Sequence, residues 1–282
     1  MIRELIIPDP GKILLQADQS GAEALIVAWL CRNGKFRSLF QHGIKPHTYA
    51  AFKIFKDHWK TLSKAVDEID NLPIDQLSSS PEWKTLSSLI AADEMRYYVG
   101  KKTVHMFNYD AKAPTFQMAV LLDTNGKLVL STKECNHFRA IHFDTFPEIP
   151  EWHMEIRDIV SRTHILKNLF GYPRLFTARI GEDLWKKAYA FIPQSTVGTI
   201  TNIAITNIQN DLEHSWHKSV GLDILQNGHD SILVQCNIGY EERTKLILKE
   251  ALEQDLISPR GEKFKMKAEI AVGENWGNMK KI

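Results

Sequence analysis

Asp18 and Asp230 are the side chains whose type and setting most plainly offer chemistry. They lie far apart in the chain, yet each sits at the edge of a run with β character. Two carboxylates brought together above a sheet repel one another unless a divalent cation neutralises them. Magnesium suits such a pair, because it takes hard oxygen ligands and leaves places for substrate phosphates and water. Each aspartate alone also fits the ordinary role of a turn or cap residue. A second candidate runs from Arg96 to Tyr109. If it is helical, Lys101, His105 and Tyr109 fall at i, i+4 and i+8 and share one face. A cation, an imidazole and an aromatic ring in a row could meet phosphate, sugar and base. The same spacing also describes an amphipathic helix with a half-exposed aromatic stripe.

Elements must position these groups. Lys12–Asp18 reads as a short strand entered through the turn cluster Pro8–Gly11, and Ala22–Leu30 as a buried helix. Ser20 is the expected N-cap, with Glu23 completing a capping box. Residues 46–167 read as helical with polar breaks, and Asp70–Pro81, rich in Asp, Pro and Ser, as a loop. Leu222–Gln226 and His229–Cys236 flank Asn227-Gly228, the strongest short hairpin signal. That places His229 and Asp230 beside the hairpin tip. Glu241–Gln254 has helical periodicity, and Lys265–Val272 is a last β-like run ending at Gly273. Strands at both ends of a helical insert predict an α+β fold on an antiparallel sheet.

The 282 residues are 44% hydrophobic, 10% aromatic and 24% charged, which excludes wholesale disorder. The longest apolar run, Ala24–Cys31, is far too short to span a bilayer, so no membrane partner is expected. The start Met1-Ile-Arg-Glu has no signal-peptide pattern, and Cys31, Cys135 and Cys236 are scattered. A reducing, cytoplasmic setting is expected. Net charge is only +1, so whole-molecule electrostatics does not announce a nucleic-acid binder. Arg157–Lys187 nevertheless carries seven Lys or Arg against three acids.

The order of these pieces resembles the polymerase module of family A DNA polymerases, the bacterial DNA polymerase I type, and its phage members in particular. Asp18-Gln-Ser-Gly-Ala-Glu23 resembles the first palm motif, D-x-S-x-x-E. Arg96–Asp110 resembles the fingers-helix motif R-x3-K-x7-Y-G, and His229-Asp-Ser231 the second palm motif H-D-E. Lys45–Ala50, Leu169–Gly171 with Arg174, Ile192–Ser195 and Val272–Trp276 echo further family segments in the same order. The resemblance implies a palm at residues 1–40 and 168–282, with fingers at 41–167. It implies a right-hand architecture without a thumb, an antiparallel-sheet palm carrying a mostly helical fingers insertion.

It also implies roles. Asp18 and Asp230 would hold two Mg2+ ions, with the Gln19 carbonyl as a further ligand. Lys101 would neutralise the triphosphate of an incoming deoxynucleotide, helped by Arg96 and His47. Glu23 would lie under the sugar, His105 would stand where a ring packs on it, and Tyr109 near the templating base. Arg174, Lys186, Gln194 and His229 would contact primer–template DNA. The setting implied is a bacterial or phage-infected cytoplasm. Because the chain starts just ahead of the first palm motif, a second polypeptide is expected to supply a thumb or an exonuclease.

The chain departs from the pattern at several places. Arg96 precedes Lys101 by five positions rather than four, Asp110 replaces the glycine after the tyrosine, and Ser231 replaces the usual Glu. Ala190 stands for a minor-groove Asn. Two other readings therefore stay open: a non-catalytic DNA-binding remnant, and a metal-dependent phosphohydrolase built on His229-Asp230.

Overall fold

A computed structural model describes residues 2–212 and 219–282. The chain divides into two compact units. Met1–Glu23, Lys167–Pro173 and Ile192–Ile282 form the first; Ala24–Leu166 and Arg174–Phe191 form the second.

The first unit is built on a five-stranded sheet. Its strands are β1 (Lys12–Gln19), β4 (Asp223–Asn227), β5 (Ser231–Asn237), β8 (Ala268–Gly273) and β9 (Lys280–Lys281), in the order β4-β5-β1-β8-β9. Every pairing is antiparallel, and β1 is the central strand. Side chains alternate along β1, so Ile13, Leu15, Ala17 and Gln19 share one face and Leu14, Gln16 and Asp18 the other. Helix α13 (Glu241–Leu252) turns Thr244, Ile247, Leu248, Ala251 and Leu252 inward, at the spacing of one helical face. It packs against β1, β5 and β8. The short pair β6 (Asp255–Ile257) and β7 (Lys263–Lys265) forms a separate ribbon.

The second unit is helical. Helices α1 (Ala22–Leu30) and α2 (Lys35–Gln41) precede α3 (Pro46–Ile54), α4 (Lys56–Leu62), α5 (Val66–Asn71) and α6 (Ile74–Leu77). Then come α7 (Pro81–Ala92), α8 (Glu94–Phe107), α9 (Ala113–Asp123), α10 (Thr132–Thr145) and α11 (Glu148–Thr163). Its starts are written in the sequence: Ser80 caps α7, Asp93 caps α8, and Ser131 with Glu134 forms a capping box on α10. One apolar core joins α8, α9 and α10 through Val99, Phe107, Phe116, Val120, Cys135 and Phe138. The chain passes between the units in the first turn of α1, at β2 (Ile165–Lys167) and β3 (Pro173–Leu175), and again within α12 (Glu182–Leu212). That last boundary falls beside Pro193, which has no N–H to continue the helical ladder.

The fold is the expected mixture of helices and antiparallel sheet, with four local corrections. Asp70–Pro81 is not one loop, because Ile69, Ile74 and Leu77 are buried and pull the segment into α5 and α6. Ser20 does not adjoin α1; Gly21 intervenes with φ +59°, and the Ser20 hydroxyl donates to Glu269 Oε1 at 3.0 Å. The last β run is broken after Lys265, and β8 begins at Ala268. In the β4–β5 hairpin, positive φ falls on His229 (+74°) rather than on the Asn227-Gly228 pair.

Candidate active site

Strand register brings Asp18 and Asp230 to one end of one strand pair. Asp18 lies opposite Ser231 of β5 and opposite Glu269 of β8. One residue on, the Gln19 amide donates to the carbonyl of Asp230 at 2.8 Å. Asp18 is half-buried and Asp230 exposed. The Gln19 side chain turns away to the other face and is buried, so what it offers on the Asp18 side is main chain.

Sequence reasoning missed Glu269. Like charges directly opposite one another destabilise a sheet. Here the Glu269 carboxylate is met by the Ser20 hydroxyl and the Lys281 ammonium. Its place inside the last β run, three positions before Val272, was the available signal. Gly228 is fixed by crowding: a Cβ there would lie 2.2 Å from Ser231 Oγ. Its amide donates to the Ser231 carbonyl at 2.8 Å, which closes the tip carrying His229 and Asp230. Glu23 stands half-buried in the first turn of α1, and Gln194 half-buried on α12.

In the second unit, α8 presents the cationic candidates. Gly100 lets α8 approach α3 backbone to backbone, since a Cβ there would lie 2.4 Å from the His47 carbonyl. This close approach sets His47 beside Lys101. Burial, with the Lys45 and Lys101 charges added, pushes the His47 pKa down to about 4, so its ring is neutral at pH 7. The ring meets Tyr97 edge-on at 5.2 Å. Lys101 and His105 are exposed on α8. Tyr109 lies past the end of that helix rather than on it, yet its ring stays 6.1 Å from His105. Arg96 is turned to the helix start: its guanidinium bonds Asp93 Oδ2 at 2.5 Å and lies over Phe55.

Asp110 adopts φ +58°, a conformation a glycine would take freely. Its carboxylate is not a bare charge. It accepts from Arg139, from Lys112 at 3.1 Å and from Arg157 at 3.5 Å. Burial alone would raise its pKa, but the Arg139 and Lys112 bonds and charges outweigh that and hold it low. Asp110, Lys112, Arg157, Glu182, Trp185 and Lys186 line a cavity of about 360 Å³. Arg157 lies over the Trp185 and Tyr189 rings. Beneath, the Asn108 side chain meets His142 Nε2 at 3.2 Å, and its carbonyl accepts from His153 Nε2 at 2.8 Å. Arg174 stacks over Phe176 and Phe191 at 5.1 and 5.6 Å. The run of cations from Arg157 to Lys187 was the sequence signal for this cluster; its anchor on Asp110 was not.

Among the described residues, no three or more His, Cys, Asp or Glu side chains gather as a metal site. The donor set of Asp18, Asp230 and a main-chain carbonyl is all hard oxygen. It fits Mg2+ that draws its remaining ligands from phosphate and water. No described helix is long and apolar enough to cross a membrane.

No protein-family model matches the chain. The chain is 22% identical over 291 aligned positions to DNA polymerase I of Borreliella burgdorferi, covering 99% of this chain and 26% of that protein. It is 22% identical to DNA polymerase I of Caldicellulosiruptor bescii, covering 98% of this chain and 28% of that protein. The chain thus spans about a quarter of the length of these relatives. Its fold matches the POL domain of Pol1 from M. smegmatis, solved with DNA primer-template and dNTP, at a TM-score of 0.65. That match has 17% sequence identity and covers 98% of this chain and 42% of that one. Along its whole length, then, the chain is similar to one region of proteins named DNA polymerase I and has the fold of a Pol1 polymerase domain, in agreement with a family A polymerase module.

Proposed function

We propose that the chain is a template-directed DNA polymerase module, joining deoxynucleotides to a primer 3′-hydroxyl. The observation that carries this reading is the register of β1 and β5, which sets Asp18 and Asp230 at the same end of one strand pair.

In this reading Asp18 and Asp230, with the Gln19 carbonyl, hold two Mg2+ ions. Bound there, the metal supplies charge neutralisation for the attacking and leaving oxygens of an in-line displacement. Lys101 binds the triphosphate, and a neutral His47 beside it can donate or accept a hydrogen bond without adding charge. Glu23 excludes a 2′-hydroxyl beneath the sugar. His105 and Tyr109, neighbours at the end of α8, flank the sugar and the templating base. Lys186 and Arg174 bind template and primer phosphates, and Gln194 and His229 contact the duplex. Arg96 serves the start of α8 rather than the phosphates, since Asp93 already holds its guanidinium. The relatives cover far more chain than this one, so thumb or exonuclease functions fall to sequence outside it or to a second polypeptide.

The remnant reading drew on Asp110, on the shifted Arg96 and on the expected lack of a thumb. Three cations around the Asp110 carboxylate remove the bare charge on which the first of these rested. Primer extension with Mg2+ and four deoxynucleoside triphosphates tests the proposal. Extension by the wild-type chain that falls about a thousandfold or more in Asp18→Asn and in Asp230→Asn is the expected result. Salt-sensitive DNA binding without extension, indifferent to Asp18→Asn, would instead identify a binding remnant.

A further inference from the structure

We propose that Thr201 is a positioning residue that clamps the two aspartate-bearing segments of the first unit together, with Gln19 as its partner. The inference rests on the polymerase reading for its purpose, and on buried hydrogen bonds for its substance.

Thr201 lies on α12 and is fully buried. Its hydroxyl lies 2.7 Å from the carbonyl of His229, the residue before Asp230. The Gln19 side-chain amide, one residue after Asp18, donates to the same hydroxyl at 2.7 Å and to the Val197 carbonyl at 3.2 Å. The proton directions are fixed by the acceptors. Carbonyls can only accept, so Gln19 must present Nε2 to Val197. The Thr201 hydroxyl has two carbonyls in reach, Val197 at 3.2 Å and His229 at 2.7 Å, and the shorter contact assigns its single proton to His229. A one-way relay therefore runs from Gln19 through Thr201 to His229. Its geometry leaves Gln19 Oε1 buried without a partner among the described residues. An unpaired buried oxygen is tolerated where the arrangement as a whole is needed.

The same helix face holds the rest of the tip. Gly198, Thr201 and Asn202 fall at i, i+3 and i+4. The His229 imidazole sits over Gly198, where a Cβ would lie 3.1 Å from the ring. The Asn202 side chain accepts from Asn227 at 2.9 Å, and Asn227 in turn accepts from the His229 amide at 3.0 Å. His229 has φ +74°, a conformation that a side-chain-bearing residue keeps only when its surroundings hold it. Thr201 is the one of these groups that touches both aspartate-bearing segments.

The test compares Thr201→Val, which keeps shape and loses the relay, with Thr201→Ser, which keeps the hydroxyl. Hydrogen–deuterium exchange of the amides of residues 228–231 and of Gln19 is read on the full chain, together with Mn2+ affinity. Thr201→Val should speed tip exchange and weaken Mn2+ binding by about tenfold each, the change expected of one lost buried hydrogen bond. It should lower kcat more than it raises the KM for deoxynucleotide, and Thr201→Ser should restore all three. Wild-type exchange at the tip in Thr201→Val, or a Thr201→Ser as impaired as the valine, would overturn the clamp. If Thr201→Val does not fold, Gln19→Met removes the first donor of the relay and should give the same faster exchange. A wild-type chain that neither binds Mn2+ nor extends a primer defeats the polymerase reading, while tip exchange still decides the clamp.

Discussion

The main-chain amide of Gln19 donates to the carbonyl of Asp230 at 2.8 Å, stitching the end of β1 to the tip of the β4–β5 hairpin. Residues more than two hundred positions apart are thereby held as neighbours through main-chain atoms, in addition to the Gln19–Thr201 side-chain bonds. This bond uses no aspartate side-chain atom. Replacing either one should therefore change chemistry while leaving the fold intact.

Asp110 makes a prediction about stability. Its side chain is only 12% exposed and is held by Arg139, Lys112 and Arg157. Asp110→Asn should destabilise the protein by about 2 kcal/mol at pH 7, since a mostly buried carboxylate loses its charge-assisted bonds to three partly exposed cations. The folded-state pKa lies below the ordinary value, so this stabilisation is complete above the unfolded pKa. It fades as pH falls through the folded pKa. Glycine at 110 relieves the positive φ, worth about 1 kcal/mol, yet loses the same ion pairs and should also fall below wild type. Urea unfolding across pH checks both, and an unchanged midpoint for Asp110→Asn at pH 7 contradicts the assignment.

The imidazoles under that cluster give the chain an acid sensitivity. Burial pushes His153 to a pKa of about 4 and His142 to about 3. An unfolded histidine titrates near 6.5, so between pH 6.5 and 4 the unfolded state binds more protons and stability rises with pH. The stabilisation is full above 6.5 and is lost on acidification through that window. For His153 the shift corresponds to roughly 3 kcal/mol. His153→Gln keeps a donor for the Asn108 carbonyl and should flatten the loss between pH 7.5 and 5, read as urea midpoints. A variant as acid-sensitive as wild type would locate the effect elsewhere.

Gly100 separates close packing from helix propensity. Alanine in a helix interior normally gains about 1 kcal/mol over glycine. At position 100 a Cβ meets the His47 carbonyl at 2.4 Å and Ala51 Cβ at 2.7 Å, so α3 and α8 must part. Gly100→Ala should lose about 2 kcal/mol net, as overpacked sites do. Guanidinium unfolding shows the sign directly: a stabilised variant means the helices have room to spare.

Much of this fold was legible in local pattern. Lys12–Asp18 announced a strand because turn residues precede it and a buried helix follows. Asn227-Gly228 announced a hairpin, although the positive φ at its tip falls on His229. Short helices α5 and α6 were hidden by Asp, Pro and Ser, since only burial of Ile69, Ile74 and Leu77 reveals them. The cluster on Asp110 was half visible: its cations stood out, but pairing 110 with 139 and 157 is a tertiary fact. Thr201 gave no sign, and Glu269 only its place in the last β run, because a hydroxyl in a helix and an acid in a strand are ordinary until register supplies their neighbours.

The central claim is that Asp18 and Asp230 act as one cation-binding pair. Titration of Mn2+, with the free ion followed by electron paramagnetic resonance, tests it on wild type, Asp18→Asn, Asp230→Asn and the double variant, each with a deoxynucleoside triphosphate and DNA present. The claim predicts that either single change abolishes the protein-dependent binding and that the second adds nothing further. Independent, additive losses, or singles that bind as wild type does, would contradict it.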